Sequence, residues 1–287
     1  MLPENQNQHR VSQVYLKQFG FQAKEQWLLA VYRIGNKETE QVPVREFTAA
    51  NNIFDHPYGD IEFRRNFETQ CGKIESLYPV ILSNLDNQRQ ITDKNVEVLC
   101  HFIASLLTRS TAFTNFIQLI LKDGKAKKRF IGELSAFKPE NKKLMESLLP
   151  HIPPEMQLNT LLGTVTEHLV EVFRHFNFAV FENSGDIFWA TTDNPVVLDK
   201  KGNFEWLVSP DSEIYLPLSK RYCLFLYHDE ATDKTNPLRL GKPNKINQLD
   251  TVTFEIVQKK IIYNLINFFV IPVALPVTDI SPPGVRY

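Results

Sequence analysis

Residues 93–121, DKNVEVLCHFIASLLTRSTAFTNFIQLIL, decide the fold. Thr92 just before them is a residue type that caps helices. From there to about Leu121 apolar residues fall on nearly every side of a helix. A helix apolar all round belongs at the centre of a protein, with other elements packed on it. The sequence therefore predicts one long buried helix here.

The neighbouring stretches supply its partners. Phe67, Cys71, Ile74, Tyr78, Leu82 and Leu85 form one helical stripe, with Pro79 as a kink. Residues 130–149 read as a weaker helix. Residues 157–176 read as a strong one, with Leu158, Leu161, Leu162, Val165, Leu169, Val172, Phe173 and Phe176 inward. Upstream, Val11, Val14, Tyr15 and Phe19 recur at helical spacing, and Gly20 can end that helix. Residues 27–33 and 41–44 then read as paired strands. Downstream, 178–181, 187–191, 196–198, 213–216 and 222–227 read as short strands. A closing helix is expected over 244–263 and a last strand over 268–274. The order of elements gives an α+β class: a central bundle of long helices packed with a mixed or antiparallel sheet formed by N- and C-terminal strands. The chain reads as one unit, 1–287. Within it, residues 1–60 hold the N-terminal helix and strands, 61–177 the helical block, and 178–287 the β-rich region with its closing helix.

Composition sets outer limits. The chain has 287 residues, 43% hydrophobic and 23% charged, with a formal net charge of −1. That is an ordinary globular balance, with no global pull toward nucleic acid or anionic membrane. Cys71, Cys100 and Cys223 are far apart and lack metal-ligand spacing, which suits reduced thiols in a cytoplasmic compartment. The polar start, residues 1–9, does not read as a signal peptide. The apolar run 268–277 is about half a membrane span and contains Pro272 and Pro276, so no membrane helix is expected.

Function is sought among polar residues in apolar places. Arg109 shares a column with Val98, Phe102 and Leu106 on a helix with little polar face. A buried guanidinium requires partners, which are either a structural ion pair or the anionic group of a ligand. Glu68 and Glu75 stand at the edge of the stripe of Phe67, Cys71 and Tyr78. Such carboxylates suit acid–base work, or a divalent metal such as Mg or Mn through oxygen ligands, or an ion pair with Arg109. Asp193 and Asn194, in Thr191-Thr192-Asp193-Asn194-Pro195, project from a strand end; Asp and Asn also build turns there. His9 is placed at the start of the first helix, where the dipole favours a neutral ring. His168, Glu171 and His175 lie on one flank of their helix, without the spacing of a zinc motif. The run KDGKAKKR, from Lys122 to Arg129, carries five positive charges and one negative. It reads as a solvated loop, or as a contact for an anionic ligand or nucleic acid. No phosphate-cradling glycine loop and no nucleophile elbow are present.

His9-Arg10-Val11-Ser12-Gln13-Val14-Tyr15-Leu16, followed by Phe19, resembles the His-x-Val-Pro-x-x-Tyr-Leu-x-x-Phe signature of the domain of unknown function 4238 family. Glu68, Glu75, Arg109, Thr192-Asp193-Asn194-Pro195, Leu216-Pro217-Leu218-Ser219 and Ile246-Asn247 follow in the order that the family has. Ser12 departs from the usual Pro, and as a capping residue it can serve the same turn. The resemblance implies a bacterial or phage-related protein and supplies no activity. It does imply that these residues belong together.

Three functions are compatible with that set. The first is a phosphoester-acting hydrolase, nuclease- or phosphodiesterase-like, such as a toxin or anti-phage effector. There His9, Glu68, Glu75 and Asp193 would be catalytic, and Arg109, Asn194 and Tyr15 would contact substrate. The second is a binding or sensor module for an anionic ligand. The third is a buried polar network that docks helices on sheet. Perturbed carboxylates at an accessible pocket favour the first; a pocket with Arg but no free carboxylate, the second; a closed, satisfied network, the third.

Overall fold

The computed structural model describes residues 4–35, 37–139, 145–147, 149–183, 187–199 and 208–271. The proline-bearing end of the run 268–277 and some of 130–149 lie outside them.

The chain is α+β. Its short first helix, α1 (Gln13–Leu16), follows strand β1 (Asn7–His9). His9 is therefore a strand residue, paired with Ala49 of β5 (Ala49–Asn51), and no helix dipole acts on it from its own element. The sheet strands β2 (Phe21–Ala23), β3 (Gln26–Arg33) and β4 (Glu38–Pro43) lie between them in sequence.

The helical block then begins: α2 (Ile61–Arg64), α3 (Asn66–Glu75), α4 (Tyr78–Gln88), α5 (Asp93–Arg109), α6 (Thr111–Lys122), α7 (Gly124–Phe137) and α8 (Pro154–Phe173). Two expectations of continuity fail here, each for a local reason. The stripe 67–85 breaks at Ser76 and Leu77, so Pro79 sits in the first turn of α4, where its missing N–H leaves no bond unmade. The long helix from Thr92 breaks at Ser110. Thr92 does cap α5, in a reciprocal box with Asn95. Ser110, however, is extended (φ −65°, ψ 147°), and its hydroxyl accepts from Phe113 N at 3.2 Å, starting α6 at a bend of 67°. A serine cap offers the backbone an alternative to another helical turn.

The remaining strands are β6 (Asn177–Asn183), β7 (Thr191–Thr192), β8 (Val197–Asp199), β9 (Glu213–Pro217), β10 (Tyr222–Tyr227), β11 (Ile246–Leu249) and β12 (Phe268–Ile271), with α9 (Thr251–Tyr263) between the last two. N- and C-terminal strands do share a sheet. It runs β2-β3-β12-β7 with β4 on the other side of β3, and every pairing in it is antiparallel. A second sheet, β11-β6-β10-β9-β8, is mixed because β11 runs parallel to β6. Residues 246–249 are thus strand rather than the start of the closing helix. Asn244, at φ 56°, donates its N–H to Phe178 O at 2.7 Å and turns the chain onto β6. Asp250 then caps α9 through Thr253 N. Residues 187–190 approach as irregular chain, held by the buried Trp189 ring against Phe254.

The principal core joins these regions: Tyr15, Leu29, Phe102, Leu162, Leu216 and Val270 are all in it. Among the described residues no single helix is long and apolar enough to cross a membrane.

Candidate functional site

Arg109 ends α5 with its side chain 1% exposed. Every face of the guanidinium meets protein. Nε donates to Ser105 O at 3.2 Å, Nη1 to His9 O at 3.2 Å, and Nη2 to Glu75 Oε1. Glu68 Oε2 lies 3.7 Å from Nη1. The two carboxylates hold Arg109 firmly in its charged form. Arg10 donates to the Arg109 carbonyl at 3.2 Å, so β1 and its exit clasp the end of α5 from both sides. Arg109 is consequently a brace between α5, α3 and β1 and offers no open face to a ligand.

The two glutamates differ. Seven residues is close to two helical turns, which is why both reach the same guanidinium from α3. Glu75 is bonded to it. Glu68, whose side chain is 17% exposed, has a buried Oε2 with no hydrogen-bond partner among the described residues. Burial raises its pKa, against the pull of Arg109, while Glu75 and Asp55 push the same way as burial.

Asp55 leads to the rest of the site. Its Oδ1 accepts from Gln8 Nε2 at 2.6 Å. Its Oδ2 faces Arg64 Nη2 at 3.5 Å and Arg65 Nε at 3.7 Å. Arg65 joins α2 to α3 at φ −96°, ψ 5°, and this corner turns its side chain inward. There Nη2 donates to Glu4 O at 2.7 Å. Asn159 of α8 fixes the Asp55 loop by donating to Ile53 O and Asp55 O at 3.1 and 3.0 Å. Asp55 Oδ2, Arg64 Nε, Arg65 Nε and Glu68 Oε2 are four buried polar atoms without a hydrogen-bond partner among the described residues, all in this neighbourhood. Buried polar atoms are rarely left so, and a concentration of them marks hydrogen-bonding capacity that the scaffold does not use.

His9 is buried beside this group, within electrostatic reach of Glu75 and Arg109. Its Nε2 is 2.9 Å from Arg45 O, an acceptor only, so Nε2 carries the proton and Nδ1 the lone pair. Burial lowers its pKa, which favours the neutral ring; the cause is burial in β1 and not a helix end.

The flank of α3 beyond Cys71 is open. A cavity of about 380 Å³ is lined by Arg64, Phe67, Cys71 and Ile74, with Ser105 and Asn159 across from them. Glu68 and Glu75 do not line it. Arg64 is the link, since it stands in the cavity wall and also faces Asp55. The Cys71 thiol there is pushed up to about 12 by burial, so it is no nucleophile.

The other residues singled out in the sequence sit apart. Among the described hydrogen bonds and ion pairs, none joins Tyr15, Asp193 or Asn194 to the Arg109 cluster. The Asp193 carboxylate accepts from Ile266 N and Asn267 N, both at 2.9 Å, tying β7 to the chain entering β12. Asn194 and Asn264 exchange side-chain and main-chain hydrogen bonds at 3.0 and 2.8 Å. The fully buried Tyr15 hydroxyl meets Thr191 Oγ1 at 2.6 Å. Ser219 accepts from Arg221 N and Tyr222 N, and the Asn247 side chain is occupied by Val180, Lys242 and Lys245. These bonds tie elements of the fold together, while Asn194 Oδ1 is buried without a hydrogen-bond partner among the described residues and Asn194 lines a smaller cavity with Ser110 and Phe113. The basic run is not a loop: Asp123 caps α7, and Lys127 and Arg129 reach Gln157 and Glu133. Glu171 is taken by Arg174.

Glu68 and Glu75 do not stand as a preformed pair of metal ligands. Mg²⁺ and Mn²⁺ take oxygen ligands, often one or two carboxylates with waters and substrate phosphates. Among the described residues no group of three or more His, Cys, Asp or Glu side chains is assembled, and Glu68 and Glu75 converge on a guanidinium.

Sequence reasoning missed Asp55, Arg64, Arg65 and Gln8. The tandem Arg64-Arg65, one turn before Glu68, was the signal that could have found the arginines. Asp55 had none, because its partners are drawn from separate elements.

No curated protein and no solved structure matches the chain. A family model described as a protein of unknown function, DUF4238, matches residues 7–265, and the chain belongs to that family.

Proposed function

We propose that this protein is a phosphoester-acting hydrolase in which Glu68 is the general base and Arg64 holds the phosphoryl group. The observation that carries this reading is the concentration of buried polar atoms without a hydrogen bond among the described residues at Glu68, Asp55, Arg64 and Arg65, where the contacts present are ion pairs of 3.5–3.7 Å. Two guanidinium groups with spare donors suit phosphoryl oxygens, and a carboxylate with a spare lone pair suits a proton. In the reaction, water adds to phosphorus while its proton passes to Glu68. The ester P–O bond breaks, and the leaving oxygen takes a proton back from Glu68, so the carboxylate is regenerated.

Glu75 and Arg109 are positioning residues. Their ion pair fixes the α3 flank that carries Glu68, and the Arg109 charge opposes the effect of burial on the Glu68 carboxyl. His9 braces Arg109 through its carbonyl. The saturation of Arg109 favours a second reading, a purely structural network, for that residue, but it leaves the spare atoms of Glu68 and Arg64 unexplained.

The experiment is steady-state hydrolysis of a chromogenic phosphodiester by wild type, Glu68→Gln and Arg64→Ala. Glu68→Gln should lose about 10²- to 10⁴-fold in kcat, the scale of a general base, with little change in KM. Arg64→Ala should chiefly raise KM. Equal turnover by wild type and Glu68→Gln contradicts the assignment.

A further inference from the structure

Next to the cavity of about 380 Å³ lies a second, of about 480 Å³, bounded by Tyr58, Met145, Leu149, His151 and Ile152. The two share His56, Phe63 and Thr160 in their walls. Phe63 therefore stands at their junction, and it is 57% exposed. An aromatic ring left this accessible is ordinarily tethered loosely. This one is held by several devices. Asp60 caps α2 by accepting from Phe63 N at 2.9 Å. The His56 ring meets Phe63 edge-on at 4.9 Å, and His56 Nδ1 accepts from Tyr58 N. Gly59, at φ +98°, lies so close that a Cβ there would come within 2.7 Å of Phe63 Cδ1. The loop is thus built around the ring, down to a glycine that both the backbone angle and the contact require.

The walls are of two kinds. The second cavity is predominantly apolar, with Tyr58 51% exposed at its edge. The first adds polar groups, Asn66, Gln70 and Thr166, to the rings of Phe54 and Phe67, and it includes Arg64, whose Nε has no hydrogen-bond partner among the described residues. The ligand that this combination suits has flat apolar rings with polar edges, and an anionic group beside a guanidinium. Bases stack on aromatic side chains whatever their identity, and a cation tracks the backbone.

We infer that the paired cavities bind single-stranded nucleic acid, with two successive bases on either side of Phe63 and the phosphodiester between them at Arg64. The inference rests on the proposed function only for the fate of that phosphodiester; the binding stands by itself. It places the phosphodiester at Arg64, the residue that joins the cavity wall to Asp55.

The test is fluorescence polarisation with full-length protein and short labelled oligonucleotides of one sequence, as single-stranded RNA, single-stranded DNA and duplex, competed with unlabelled dinucleotide and mononucleotide. Wild type should bind single strands well and duplex weakly, and dinucleotide should compete better than mononucleotide. Phe63→Ala should bind at least about tenfold more weakly, since stacking contributes about 1–3 kcal/mol per base. Phe63→Trp should retain affinity, and Gly59→Ala, which displaces the ring, should lose it. The stronger of the RNA and DNA arms identifies the natural strand. Single-strand affinity that is absent, or unchanged in both Phe63→Ala and Gly59→Ala, overturns the inference. Turnover of a chromogenic phosphodiester that depends on Glu68 would then leave the proposed function standing. Conversely, Phe63-dependent binding without any turnover overturns the hydrolase and keeps the binding site.

Discussion

Arg109 at the end of α5 is bonded to Glu75 at the end of α3, and no ligand could reach between them: the guanidinium is closed over by Ser105, His9 and Glu68 as well. Breaking such a pair from one side strands the other charge. Arg109→Met should therefore cost about 3–5 kcal/mol in urea unfolding, and adding Glu75→Gln should recover some of it. Loss of less than about 1 kcal/mol in the single variant would show that the pair is not the brace described.

Glu68 gives a pH signature in stability. Its folded pKa is raised above the ordinary 4.5 by burial. A raised carboxyl binds more protons folded than unfolded, so its stabilising contribution is present below about 4.5 and is lost as pH rises through the folded value. Gln mimics the protonated form and loses nothing. The Tm of Glu68→Gln relative to wild type should thus increase from pH 4 to pH 8. A difference that shrinks with pH would reverse the sign and remove the case for a perturbed carboxyl.

Asp193 tests the division between site and scaffold. Its two hydrogen bonds to Ile266 N and Asn267 N are the reason for its burial. Asp193→Ala should cost about 1–3 kcal/mol for the stranded donors and speed hydrogen exchange at those two amides. Unchanged exchange there would mean the turn is held by something else.

Tyr15 makes the same point from within the core. Tyr15→Phe strands the Thr191 hydroxyl and should cost about 1–2 kcal/mol, with the kcat and KM of any proposed phosphodiester turnover unchanged in the folded protein. A raised KM would return Tyr15 to the substrate site.

What the sequence made legible follows from where its signals are local. Arg109 was visible because the helix around it has little polar face, and its partners Glu68 and Glu75 because both lie on one edge of α3. The union of β3 with β12 was readable as terminal strands around a helical insert. Ser110 was not read as a break, since the apolar pattern continues through it into α6 and the cap is a single hydroxyl. Strand β11 looked helical because its four residues owe their conformation to pairing with β6. Asp55 and Arg65 were missed because an irregular loop and a helix junction carry no period. The same holds for the buried set of Glu213 and Arg239 at 3.1 Å with Tyr215 and Asn236, assembled from β9, the loop after β10 and a short turn.

The central claim is that Glu68 is a base beside a phosphoryl site. The pH dependence of kcat/KM for a chromogenic phosphodiester addresses it most directly. Wild type should show an acid limb, with rate rising about tenfold per pH unit below an apparent pKa above 4.5 and levelling above it. That limb should vanish in a folded Glu68→Gln variant, along with most of the rate. The same limb in Glu68→Gln, a wild-type rate flat from pH 4 to 8, or no turnover at any pH by folded wild type would contradict the account.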